Sequence, residues 1–173
     1  MQNIDLKEAV SKGEFPIGFS SSIEHGFVDM VDVATVVQDI IADPKKHRLA
    51  RYELVSENVT YDQIARMITK VSGKLVKCKA IPPKEFIRKM KDLGDIRNEH
   101  AEDTMIRLMV YYDRWSASDC SVWCKYFYFL TLLLRGLDGN SNTLRWLLNR
   151  EPTTWEAYLH RELRKLYPDS GRA

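Results

Sequence analysis

The sequence predicts an α/β fold in which helices outnumber a few short strands. Three observations predict it. Apolar residues recur at helical spacing along most of the chain, and helix-capping residues stand just ahead of several of these runs. Only three stretches, 14–19, 51–55 and 75–81, read as strand. At 173 residues, with 45% hydrophobic and 29% charged residues, the chain fits one domain of ordinary globular composition.

Gln2 to Ser11 predicts a helix that buries Ile4, Ala9 and Val10 and stops at Gly13. EFPIGF follows as a short strand or loop. Val33, Val36, Val37, Ile40 and Ile41 then repeat at i, i+3, i+4, i+7 and i+8, with Asp32 placed to cap the helix and Pro44 beyond its end. Asp29 is placed to fix the preceding turn through nearby backbone groups, and both aspartates read as structural rather than catalytic. After a short strand over Arg51 to Val55, Thr60 and Gln63 form a capping box for a helix running to about Ser72, which Gly73 ends. Leu75 to Ile81 alternates apolar residues with lysines, as a strand with one wet face does, and Pro82 stops it. Pro83 opens a helix carrying Phe86, Ile87, Met90 and Leu93. A further helix over 98–112 carries Ala101, Met105, Leu108, Met109 and Tyr112. Thr153 and Glu156 make a second capping box, for a last helix with Trp155, Tyr158, Leu159, Glu162 and Leu166.

Twenty-six basic against twenty-four acidic residues leave a net charge of +2, too small by itself to imply a nucleic-acid or membrane partner. The densest basic region, Lys74, Lys77, Lys79, Lys84, Arg88, Lys89 and Lys91, has only Phe86 among its cations and reads as solvated faces of a strand and a helix. Val122 to Leu134 is the longest apolar run, but it carries Lys125 and falls short of the roughly 18 residues a membrane span needs. Three cysteines and a polar, amphipathic first ten residues point to a reducing cytoplasm.

Reactive constellations are missing from the sequence. A pyrophosphate cradle needs a glycine-rich turn between strand and helix, yet the eight glycines are scattered; the closest pair, Gly136 and Gly139, belongs to a plain turn, GLDGNS. A lysine four residues after a tyrosine lowers the tyrosine pKa in many reductases, and none of the eight tyrosines has one. His25, His47, His100 and His160 are too dispersed to suggest a triad. Cys120 and Cys124 lack the second ligand pair that zinc requires. No catalytic, metal or cofactor-binding residue is assigned.

The segment GFVDMVDVATVVQDIIADPKKHRLARYELVSENVTYDQIARMITKVSGK carries a family resemblance. Val28, Asp29, Asp32, Val33, Ala34, Pro44, Tyr52, Glu53, Leu54, Tyr61, Ile64 and Ala65 match the pattern of NmrA-like proteins, atypical short-chain dehydrogenases of the NAD(P)-binding Rossmann superfamily. The opening MQN resembles the tail of the family's Phe-Met-x-Asn segment, and GLDGNSNTLRWLLNREPTTWEAYLHREL resembles its closing loop and helix as seen in filamentous fungi. The resemblance implies a single incomplete domain over 1–169: a mostly helical C-terminal substrate-domain portion of a Rossmann-type protein, with an incomplete sheet and open edges. One stretch departs from the family, an apolar insert at 115–135, expected to be foreign to the fold and to derive from a retained intron.

Full-length relatives of this kind use NADPH to reduce small carbonyl or enone compounds in secondary metabolism, or bind NAD(P) without turnover and act as regulators through a protein partner. The resemblance therefore implies an oxidoreductase-family protein with NADP as cofactor in complete relatives, none held by this chain alone, and a small-molecule substrate or regulatory protein as partner. The alternatives are a sensing protein and a truncated inactive product. Asn3, Phe15 and Phe27 are the substrate-pocket candidates, with core packing as the competing reading for both phenylalanines.

Overall fold

The computed structural model describes residues 1, 4–18, 20–92, 100, 102, 103, 105 and 139–167. These form six helices and four strands: α1 (Leu6–Lys12), β1 (Glu14–Ile17), β2 (Glu24–Phe27), α2 (Met30–Ala42), β3 (Glu57–Thr60), α3 (Tyr61–Ser72), β4 (Lys77–Ala80), α4 (Pro83–Asp92), α5 (Ser141–Leu148) and α6 (Trp155–Leu166). The class is the expected mixed α/β, and the sheets are small. β1 pairs with β4 in parallel, Glu14 opposite Lys77 and Ile17 opposite Ala80. β2 pairs with β3 antiparallel, Glu24 opposite Thr60 and Phe27 opposite Glu57.

Local chemistry sets most of the boundaries. Asp5 accepts the Glu8 N–H at 2.9 Å to start α1, and Gly13 ends it at φ 71°, a left-handed conformation that glycine adopts without strain. The same glycine's carbonyl accepts the Lys77 N–H at 3.0 Å, so the helix stop is also the first rung beside β4. α3 opens with the expected capping box: Thr60 Oγ1 accepts the Gln63 N–H, and the Gln63 side chain accepts the Thr60 N–H. Gly73 closes α3 at φ 69°.

The core lies between α1, β1 and the face where α3 packs on α6. Leu6, Ala9 and Val10, Phe15 and Ile17, Ile64, Ala65 and Ile68, and Trp155, Leu159 and Leu163 form one buried cluster with Phe27, Val59, Tyr61, Val76 and Tyr158. Burying one aliphatic side chain of this size contributes about 2 kcal/mol. The apolar α3–α6 face, not the exposed Lys70–Glu156 pair at its rim, therefore holds these two helices together.

Several sequence expectations are corrected. α2 begins at Met30 with Asp29 as its cap, because Asp32 is turned inward from the first helical turn. Only Val36 of the apolar stripe on α2 is deeply buried; α5 contacts this helix, but Val37 and Ile41 stay exposed. No strand forms over 51–55: β2 finds its partner at Glu57–Thr60, and Tyr52 packs instead beside His47 and Trp146. The last helix is capped by Thr154, one residue later than expected, because the Thr153 N–H is committed to the Asp32 carboxylate. β4 is shorter than the predicted 75–81, and α5, capped by Asn140, had no counterpart among the expected elements. Most of the helix expected over 98–112, and all of the 115–135 segment, lie outside the described residues.

Candidate functional site

The most ordered polar chemistry sits at the N-terminus of α2. Asp29 and Asp32 are one helical turn apart and both are fully buried. The Asp29 carboxylate accepts the Val31 N–H at 3.2 Å as helix cap. Arg161, from the middle of α6, donates to both of its oxygens, Nη1 to Oδ2 at 2.6 Å and Nη2 to Oδ1 at 3.1 Å. Asp32 is served by the loop before α6: Arg150 Nη2 donates to Oδ1 at 2.6 Å and the Thr153 N–H to Oδ2 at 2.7 Å. The hydrogen bonds to Asp29, joined by a contact to Glu162, raise the Arg161 pKa further above its already high ordinary value. A buried carboxylate is tolerated only when its oxygens are satisfied in this way, so the two aspartates act as fasteners for the C-terminal segment.

Next to these pairs lies a wall of aromatic rings. His25 and Phe27 of β2, Tyr61 of α3, and Trp155 and Tyr158 of α6 meet edge to face, with centroids 5.2 Å apart for Phe27–Trp155 and 5.5 Å for Phe27–Tyr61. Phe15 reaches the wall through Tyr61 at 6.4 Å. The Arg161 guanidinium lies over the Tyr158 ring at 5.3 Å, which ties the wall to the Asp29 pair. Phe15 and Phe27, the two pocket candidates from the sequence, thus come together in one buried cluster, 5% and 7% exposed. Asn3 lies outside the described residues.

Burial lowers the His25 pKa and favours the neutral ring. Burial, with help from the Asp62 charge, pushes the Cys78 thiol up to about 12, which makes it a poor nucleophile. Burial raises the Tyr158 phenol as well, followed by the nearby Glu162 and Asp29 charges. Among the described residues no three His, Cys, Asp or Glu side chains are grouped to hold a metal ion.

A pyrophosphate needs open N–H groups at a helix N-terminus. At α1, α2, α3 and α5 the side chains of Asp5, Asp29, Thr60 and Asn140 each accept one of these N–H groups. At α6 Thr154 caps, and the Trp155 N–H donates to Glu57 at 2.8 Å. Carboxylates stand at three of the five, where they repel phosphate. The Arg150 and Arg161 partners were missed by the sequence reading. The signal for them was the pair of aspartates itself, since two carboxylates inside a helix interface require two cations.

The fold is similar to that of several solved proteins. An NADPH-dependent quinone oxidoreductase from Escherichia coli superposes with a TM-score of 0.61 at 20% identity, over 91% of this chain and 49% of that one. A triphenylmethane reductase from Citrobacter sp., solved with NADP(H), gives a TM-score of 0.60 at 19% identity, over 91% of this chain and 46% of its own. A nucleoside-diphosphate-sugar epimerase from Staphylococcus aureus gives 0.58 at 18% identity, over 90% of this chain and 46% of its own. The chain therefore spans just under half the length of these proteins. At such identities the likeness establishes the fold class. No curated protein matches the chain in sequence. The chain belongs to the NmrA-like family, whose sequence model matches residues 7–159.

Proposed function

We propose that this chain is the substrate-side portion of an NAD(P)-dependent oxidoreductase that reduces a small carbonyl or enone compound, in secondary metabolism and in the cytoplasm. The observation that carries this reading is the family match across 7–159, on a fold whose solved relatives include two reductases. On this reading the nucleotide contacts come from a glycine-rich βαβ unit outside these 173 residues, and the chain supplies the wall against which the substrate is placed. Phe15 and Phe27 then act from behind, as rigid support for pocket-lining neighbours, and Asn3 remains the third pocket candidate from the sequence. The fungal-type closing segment, 136–163, bears the fasteners that hold this wall.

The test has two arms. Titration of the 173-residue chain with NADPH is expected to give no saturable heat or fluorescence change. NADPH oxidation with aromatic ketones or quinones is expected only when a nucleotide-binding half is supplied in the same polypeptide. Saturable NADPH binding by the isolated chain defeats the division of labour. Failure of the joined protein to turn over any such compound, with NADPH bound, favours a second reading, a non-catalytic NAD(P)-sensing regulator. One observation speaks for that second reading: no tyrosine here has a lysine four residues on.

A further inference from the structure

A surface remote from the aromatic wall has a chemistry of its own. Residues 44–52, PKKHRLARY, hold Lys45, Lys46, Arg48 and Arg51 and no carboxylate, with Asp43 and Glu53 at the flanks. The whole chain nets +2, so without these four cations it would net −2. Four cations in nine residues make this loop one of the two basic stretches of the chain, the other being 74–91.

The loop is built, not slack. Its two limbs rest on one indole: Lys46 Nζ lies 5.9 Å from the Trp146 ring centroid and the Tyr52 ring 6.5 Å from it. His47 Nδ1 and the Tyr52 hydroxyl meet at 2.8 Å and close the neck. Between them the backbone turns tightly, with the Ala50 N–H donating to the His47 carbonyl at 3.1 Å. The apex is Leu49, held at φ 60°, a conformation that leucine rarely adopts, and 95% exposed. Ile41 at the end of α2 and Trp146 on α5 are also exposed, at 72% and 62%. Arg48, Ala50 and Arg51 beside the apex are exposed too.

We propose that this loop docks on an anionic lipid surface, with Leu49 entering the headgroup region and Lys45, Lys46, Arg48 and Arg51 meeting lipid phosphates and carboxylates. The shape selects this partner. A convex apolar tip ringed by cations matches a soft, negatively charged surface, which combines shallow apolar insertion with electrostatic attraction. Trp146 and Tyr52 at the base are the residue types that favour a membrane–water interface. Nucleic acid fits less well, because it calls for aromatic faces to stack on, and the side chain at the apex is the aliphatic Leu49. No described helix is long and apolar enough to cross a membrane, so the contact is peripheral. The proposal does not depend on the oxidoreductase reading.

Sedimentation of the full chain with phosphatidylcholine vesicles, with and without phosphatidylserine, tests it. Binding is expected to rise at least about tenfold with phosphatidylserine and to fall with added salt, since each cation near an anionic leaflet contributes a factor of about five. Leu49→Asp and Arg48→Glu/Arg51→Glu are each expected to lower binding on the order of tenfold. Neither should lower the melting temperature, because these side chains are exposed and aspartate adopts the left-handed backbone at 49 more readily than leucine. Equal binding to both vesicle types overturns the proposal, as does full binding by Leu49→Asp. If the wild-type chain instead prefers a single-stranded oligonucleotide over the vesicles, and Leu49→Asp leaves that preference intact, the loop is a nucleic-acid site and the lipid proposal fails.

Discussion

Removing Arg161 is the most informative perturbation of the fold. Its guanidinium makes two hydrogen bonds to Asp29, whose carboxylate is fully buried. Truncating one partner of a buried pair costs about 3–5 kcal/mol, chiefly because the remaining charge keeps its desolvation penalty. The lower end applies here, since Arg161 is 32% exposed and water can partly replace it. Arg161→Leu should therefore cost about 3 kcal/mol, or about 6–12 °C in melting temperature for a chain of this size. Asp29→Asn should cost only about 1 kcal/mol, because asparagine still caps α2 and Arg161 keeps its contact with Glu162. Combining the two should recover about 1–2 kcal/mol relative to Arg161→Leu alone, as the neutral side chain no longer needs a cation. Urea unfolding of the four proteins reads all three numbers. A double variant no more stable than Arg161→Leu would refute the claim that the charge on Asp29, rather than lost packing of Arg161 on Tyr158, sets the cost.

Other consequences can be checked in the same way. His25 has a folded pKa below its ordinary 6.5 because of burial, so its contribution to stability is complete above 6.5 and is lost as pH falls towards and through the folded value; His25→Phe should flatten that part of the stability–pH curve. A Cβ at Gly139 would lie 2.4 Å from Val55 Cγ2, so Gly139→Ala should cost about 1–3 kcal/mol, and Val55→Ala in the same chain should relieve part of it. Thr60→Ala removes the acceptor for the Gln63 N–H and should cost about 1 kcal/mol by urea unfolding. With its pKa pushed up to about 12, Cys78 should be alkylated far more slowly in the native than in the unfolded chain at pH 8, as followed by peptide mass mapping.

What the sequence made legible is what is decided locally. The Thr60–Gln63 capping box, the glycine stops at 13 and 73, and Pro83 as the first residue of α4 all depend on residues within one helical turn. The errors fall where distant partners decide. Asp32 has the form of a cap, but Arg150 and Thr153, more than a hundred residues on, draw it inward. Residues 51–55 have strand composition, yet the ladder goes to 57–60, whose Val59 points into the core. Asp29 and Asp32 stand out locally as a helix start, while their partners Arg161, Arg150 and Thr153 are invisible to any local rule. Phe15 and Phe27 were legible as apolar, but whether a buried ring faces core or cleft is settled by neighbours that come from five different elements.

The ties between α2 and the segment beginning at Gly139 moor the last two helices to the first half of the chain. Asn58 adds a further tie, exchanging two hydrogen bonds with the Gly139 backbone at 2.9 and 3.0 Å. Once its ends are moored, a tether is thermodynamically almost free to grow, since doubling its length costs only about 0.6 kcal/mol in closure entropy. A change of chain length between α4 and Gly139 should therefore weigh little on the ties at the Gly139 side.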